Sequence, residues 1–230
     1  MKTIGIIGGL SWFSTSVYYR IINQLVNQKM GDSHSARIIM YSVDFNDFKT
    51  LQEKNEWNAI ALMLNDIAQR LQHAGADCIV MATNTPHLVA GQIVKNIKIP
   101  LLHIAEETAK EIVKHQIRKV GLIGTKFTME HSFFKDHLSL FGIASIIPDI
   151  GHREFIHWSV FNELTKGIFN EATKEKYLEI IEKLKNNGAE GIILGCTEIS
   201  LLIKPQDTML KVFDTALIHS TAAVDFALSS

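Results

Sequence analysis

The chain has 230 residues, 47% of them hydrophobic, with 23 Lys and Arg against 24 Asp and Glu. A net charge of −1 gives no broad attraction to nucleic acid or to an anionic membrane, and no apolar run approaches the ~20 residues of a membrane span. The N-terminus, Met1-Lys2-Thr3-Ile4-Gly5, enters a strand pattern at once, without the features of a secretory signal, so a cytoplasmic protein is expected.

In chain order, a first strand is expected at Thr3–Ile7, followed by a helix over Thr15–Met30 and a strand at Arg37–Tyr41. A helix over Trp57–Ala74 leads to strands at Cys78–Met81 and Pro100–His103, and then to a helix over Ala105–His115. The alternation continues with strand Lys119–Ile123, helix Glu130–Phe141, strand Ile143–Ile146 and helices over Glu154–Lys166 and Lys174–Asn187. Strands at Gly191–Leu194 and Lys211–Phe213 close the series. The strands are short apolar runs, and the helices carry apolar residues at helical spacing. Such alternation implies parallel sheets covered by helices on both faces.

The chain also repeats itself. Lys2-Thr3-Ile4-Gly5-Ile6-Ile7-Gly8-Gly9 resembles Arg118-Lys119-Val120-Gly121-Leu122-Ile123-Gly124-Thr125, with one offset serving both glycine pairs. The run from Leu71 through Gly75-Ala76-Asp77 to Thr83 resembles the run from Leu184 through Gly188-Ala189-Glu190 to Cys196. A third strand follows each, Ile99-Pro100-Leu101-Leu102 and Val212-Phe213-Asp214. Three matched pairs in one order indicate duplication. The expected fold is α/β, with two pseudo-symmetric duplicated domains on parallel sheets and an active site in the cleft between them. Residues 1–104 plus 208–230 are expected to form the first domain and residues 105–207 the second.

Parallel sheets bind ligands beyond the carboxyl ends of their strands. Gly8-Gly9, Gly124-Thr125, Thr83 and Cys196 all fall at such ends. Thr83 and Cys196 are equivalent in the repeat, so they are expected on opposite sides of a bound molecule. That arrangement suits a reaction in which one group removes a proton from a carbon and the other returns one to its opposite face. The cysteines, Cys78 and Cys196, are too few for a disulfide framework or a structural zinc site. The ten histidines show no metal-ligand spacing, and no metal is expected. A dinucleotide-binding reading fails, because Gly5-Ile6-Ile7-Gly8-Gly9 does not fit G-x-G-x-x-G.

Gly8-Gly9, Thr83-Asn84-Thr85, Gly124-Thr125 and Gly195-Cys196-Thr197-Glu198 together resemble the aspartate/glutamate racemase superfamily over essentially the whole chain. Glu198 after Cys-Thr resembles the aspartate racemase or broad-specificity amino-acid racemase branch, since glutamate racemases typically carry His there. The resemblance implies a cofactor-independent homodimeric enzyme that racemises a small-molecule amino acid by two-base proton transfer. Cys196 would be the thiolate base, favoured by helix N-terminal amides that lower a thiol pKa, and Thr83 the opposing acid or relay. By the same resemblance Asn84, Thr85, Thr125 and Thr197 bind substrate rather than merely cap helices. Lys166, before Gly167, matches a lysine that binds a side-chain carboxylate; its other reading is a helix C-terminal lysine beside a glycine cap. Ser11 binds substrate or caps the first helix. Glu198 supports Cys196 as an acid/base partner or simply starts a helix. His87, one turn past Thr83, reads first as a core or solvent-facing histidine and second as acid/base support.

The sequence departs from the family pattern in two places. The first cysteine position holds Thr83, as in some members of the branch, and this removes a two-thiol mechanism. Cys78 is no displaced substitute, lying five residues back along the strand, roughly 16 Å away at about 3.3 Å per residue. The arginine that aspartate racemases place after the second strand has no match in Val43-Asp44-Phe45-Asn46-Asp47, so preference for an acidic side chain is open. The alternative functions are an inactive amino-acid-binding relative, or another proton-transfer member such as a hydantoin racemase, decarboxylase or maleate isomerase.

Overall fold

Two parallel sheets carry the molecule, and the computed structural model describes residues 1–229 of it. Contacts divide the chain into one unit formed by Met1–Ile104 with the chain from His219 onward, and a second formed by Ala105–Ile218.

In the first unit the strands are β1 (Ile4–Gly8), β2 (Ile38–Ser42) and β3 (Cys78–Met81), in the spatial order β2-β1-β3. The registers Ile4↔Ile38 and Ile4↔Cys78 place β1 at the centre. All five residues of β1 and all four of β3 are buried, as an unbroken apolar run demands when helices cover both faces. β2 lies at the edge and is half-buried to exposed. Around this sheet run α1 (Trp12–Met30), α2 (Phe45–Glu53), α3 (Trp57–His73) and the short α4 (Ala90–Ile93). Leu64, Ile67, Ala68 and Leu71 of α3 pack on Ile7, Ile79 and Met81. A buried Leu of this kind is worth 2–5 kcal/mol against Ala.

The second unit holds β4 (Lys119–Gly124), β5 (Ala144–Ile146), β6 (Gly191–Gly195) and β7 (Lys211–Asp214), in the order β5-β4-β6-β7. Its helices are α5 (Ile104–Lys114), which starts at the last residue of the first unit, α6 (Lys126–Glu130), α7 (Ser132–Leu140), α8 (Ile150–Asn162), α9 (Glu171–Asn186) and α10 (Ile199–Leu202). The final helix, α11 (Thr215–Leu228), completes the chain. The two sheets share one strand order. β2-β1-β3 matches β5-β4-β6, and the single bridge Ile79↔Leu101 stands beside β3 where β7 stands beside β6.

Three expectations met a different outcome. Pro100–His103 makes only that bridge, through Ile79 N–H to the Pro100 carbonyl and Leu102 N–H to the Ile79 carbonyl; Pro100 has no N–H to extend a ladder. Residues 208–218, expected with the first domain, lie in the second unit, because β7 pairs with β6 from Gly191↔Lys211 to Leu194↔Asp214. Helices α2 and α11 were not foreseen. α2 is short and is started by the Asp44 carboxylate, which accepts the Asn46 N–H at 2.9 Å. α11 is apolar over most of its length and lacks the one-sided stripe that marks a surface helix.

Candidate active site

Four strand ends carry the residues singled out from the sequence, two in each unit. In the first unit β1 ends in Gly8-Gly9. Gly9 has φ +76°, and a Cβ there would lie 2.0 Å from the Val43 carbonyl oxygen, so only glycine fits. The turn is locked by Thr15, whose Oγ1 accepts the Gly9 N–H at 2.8 Å and donates to the Ser11 carbonyl at 2.9 Å. Ser11 is the N-cap of α1, with its hydroxyl accepting the Ser14 N–H at 3.3 Å. Ser14, which sequence reasoning passed over, ties this helix start to the neighbouring strand end by donating to the Ala82 carbonyl at 2.6 Å.

Thr83 follows Ala82 directly and is half-buried. After it the chain enters a 3₁₀ turn, Thr85–Val89, in which Asn84, Thr85 and His87 are buried. Asn84 precedes this turn, and its side chain makes no capping hydrogen bond. The His87 ring reaches back to the turn that precedes it, with Nδ1 3.1 Å from the Asn84 carbonyl. Behind it pack His103 and His219, with ring centroids 4.8 and 5.4 Å from that of His87. His219 Nε2 donates to the Leu102 carbonyl at 2.8 Å, so its Nδ1, 3.0 Å from Tyr18 Oη, accepts the phenol proton. Of the core and solvent-facing positions open to His87, the structure gives the buried one, in a cluster that single residues in the sequence did not announce.

In the second unit β4 and β6 end side by side at Gly124↔Gly195. A Cβ on Gly195 would meet the Thr128 methyl at 2.9 Å and the Ile123 carbonyl at 3.1 Å. Thr125 is buried at the start of α6, its hydroxyl 3.4 Å from that of Thr128. Cys196 follows Gly195 and is 8% exposed; Glu198, two residues on, is 3% exposed. The Cys196 thiol donates to Glu198 Oε2 at 2.9 Å, and the Thr197 hydroxyl donates to the same oxygen at 2.7 Å. Glu198 makes no side-chain capping bond at the start of α10. Of its two readings, acid/base partner of Cys196 or helix-start residue, the carboxylate's contacts lie with Cys196 and Thr197 and not with the helix end. Thr197, expected at substrate, has its hydroxyl engaged by Glu198.

Burial, followed by the negative charge and hydrogen bond of Glu198, pushes the Cys196 thiol well above the ordinary thiol range. Backbone amides of Glu198 and Ile199 oppose this and are outweighed. That direction favours the thiol form of the sulfur, against the pull of helix amides towards a thiolate; the helix that follows has four residues. Cys78, wholly buried in β3, is pushed up to about 12, chiefly by burial, and is chemically inert. Lys166 ends the 3₁₀ turn Leu164–Lys166, is exposed, and is followed by Gly167 in the left-handed conformation at φ 75°. Among the described residues no group of three or more His, Cys, Asp or Glu could hold a metal ion, and no helix is long and apolar enough to cross a membrane.

The chain is similar to known proteins over most of its length. The broad specificity amino-acid racemase RacX of Bacillus subtilis is 27% identical over 172 residues, 72% of each chain. A glutamate racemase of Leptospira borgpetersenii is 26% identical over 168 residues, which span 72% of this chain and 61% of that one. Among solved structures, a proposed Asp/Glu racemase from Yersinia pestis is 47% identical with a TM-score of 0.95, and an aspartate racemase homologue from Pyrococcus horikoshii is 36% identical with a TM-score of 0.90. Both are covered in full, as is this chain. The description of Asp/Glu/hydantoin racemases matches residues 7–223, and the chain belongs to that family.

Proposed function

We propose that the protein racemises an amino acid at Cα without a cofactor, with Cys196 and Thr83 as the groups that exchange protons with the two faces of that carbon. The observation that carries this reading is the buried Cys196–Glu198 contact at the end of β6, at 2.9 Å. A thiol raised by burial becomes a base only if a neighbour accepts its proton, and in this reading Glu198 Oε2, 2.9 Å away, is that acceptor. In one direction, the Cys196 proton passes to Glu198 and the thiolate sulfur takes the Cα proton. The carbanion then takes a proton from the Thr83 hydroxyl on its other face. This leaves Cys196 as thiol, Glu198 protonated and Thr83 as alkoxide; return of one proton from Glu198 to Thr83 through solvent restores the start. The alkoxide costs about 1.4 kcal/mol for each pKa unit between the threonine hydroxyl and its proton source, so the Thr83 side is the slow one.

Asn84, Thr85, Thr125, the Thr197 backbone N–H and Ser11 are the proposed carboxylate and amine contacts, and Lys166 the contact for an acidic side chain. The relatives include enzymes named for glutamate and for broad specificity, and the missing arginine after β2 favours the broader range. The test is incubation of each proteinogenic amino acid, as a single enantiomer, in D2O. Deuterium at Cα and formation of the opposite enantiomer are expected for at least one. Thermal stabilisation by amino acids without exchange would instead identify a binding protein.

A further inference from the structure

We propose that His87 is a positioning residue, which holds the Thr83-Asn84-Thr85 turn by donating a hydrogen bond from Nδ1 to the Asn84 carbonyl and takes no proton itself. The inference rests on the reading of Thr83 as a reacting group, but its own observations are separate. A carbonyl only accepts, so the 3.1 Å contact from His87 Nδ1 to Asn84 fixes the neutral ring in its Nδ1–H form. Nε2 is then left as a bare lone pair. It is fully buried and has no hydrogen-bond partner among the described residues. A neutral ring in that form has no Nε2 proton to give.

The ring cannot readily become charged either. Burial and the neighbouring His103 and His219 hold its pKa well below 6.5, against the smaller opposing effect of the Asn84 and Thr83 carbonyls. His219 is held neutral in turn. Its Nε2–H is committed to Leu102 and its Nδ1 to the Tyr18 hydroxyl, and burial lowers its pKa to about 4. Tyr18 from α1, His103 after the Leu101 bridge and His219 from α11 thus form a packed bed for the His87 ring. Through one hydrogen bond this bed reaches the turn that carries Thr83, whose hydroxyl must stay aimed while charge develops on it. A misplacement of about 1 Å at such a group can cost on the order of 10² in rate.

The test compares three substitutions with the wild type, after Cα exchange by the wild type is established. Absence of that exchange would end the racemase reading and leave the tautomer measurement below standing by itself. His87→Asn keeps a donor at the Nδ1 position, His87→Gln keeps one only at the Nε2 position, and His87→Leu keeps neither. We expect kcat for exchange to fall about 10–10²-fold in His87→Leu and His87→Gln, with KM little changed, and to recover most of the loss in His87→Asn. Nitrogen-15 histidine spectra of the wild type should show His87 as the neutral Nδ1–H form and His219 as the neutral Nε2–H form. Three results would overturn the proposal: rescue by Gln rather than Asn, which makes Nε2 the working atom; an Nε2–H form of His87; or variants that lose thermal stability while the folded fraction keeps wild-type kcat.

Discussion

The turns after β3 and β6 have the same place in two sheets of the same strand order, yet they carry different groups. In the offset that pairs Thr83 with Cys196, Thr85 pairs with Glu198 and His87 with Ser200. The Cys196 turn therefore holds an acid and its proton acceptor on one buried oxygen, Glu198 Oε2. The Thr83 turn holds hydroxyls backed by buried histidines and has no carboxylate at the equivalent position. A duplicated backbone supplies the two turns; in the proposed mechanism the residue two places on decides whether a turn can release its proton.

The largest expected effect comes from Cys196→Ser. A serine hydroxyl is far less acidic than a thiol, so Cα exchange should fall 10²–10⁴-fold with the fold intact by circular dichroism. Retention of more than roughly a tenth of wild-type exchange would remove Cys196 from the mechanism. Glu198→Gln comes next and sharpens the contrast, because its two readouts move oppositely. Loss of the charge should bring the thiol down towards its ordinary range, seen as thiolate ultraviolet absorbance at lower pH in a Cys78→Ala background. Exchange should nonetheless fall on the order of 10²-fold, since the proton acceptor is gone. An unchanged thiol titration would show that Glu198 does not govern the sulfur. Thr83→Cys converts the weaker station towards the stronger one and should raise exchange several-fold. Loss of activity with substrate binding retained would show that the hydroxyl itself is required.

These contrasts were only partly legible in the sequence. The glycine pairs and the strand-end positions of Thr83 and Cys196 could be read because glycine is forced where backbones close up, as at Gly9 against Val43. The Cys196–Glu198 pair could be suspected from its i,i+2 spacing, but not the protonation state, which depends on burial that no local pattern encodes. Ser14, Tyr18, His103 and His219 escaped notice because each contacts a residue distant in the chain; Tyr18 and His219 are 201 positions apart. The boundary after Ile104 could be placed from the repeat. The later one depends on the pairing of β7 with β6, and a lone strand does not reveal its neighbour.

Two smaller effects complete the comparison. Lys166→Ala should raise KM several-fold for acidic amino acids and leave neutral ones unaffected; equal effects on both would make it a helix-end residue. The lowered pKa values of His87 and His219 predict an acid-labile first unit. His219 titrates near 6.5 when unfolded and about 4 when folded. Between those values the unfolded chain carries a proton that the folded chain does not. Stability should therefore be lost as pH falls from about 6.5 towards 4, by up to about 1.4 kcal/mol per pH unit from this group. Thermal melts across that window should show the loss, and His219→Gln should flatten it.

The central claim, that two different groups serve the two faces of one carbon, is tested most directly by the isotope content of the product at low conversion. A single enantiomer of the best substrate is incubated in D2O, the enantiomers are separated, and each is analysed for deuterium at Cα. With Cys196 and Thr83 acting as a pair, the new enantiomer carries deuterium in full, because its proton comes from the solvent-exchanged partner, while the remaining substrate still carries protium. A new enantiomer that retains the original protium would show one group working both faces, and would contradict the account.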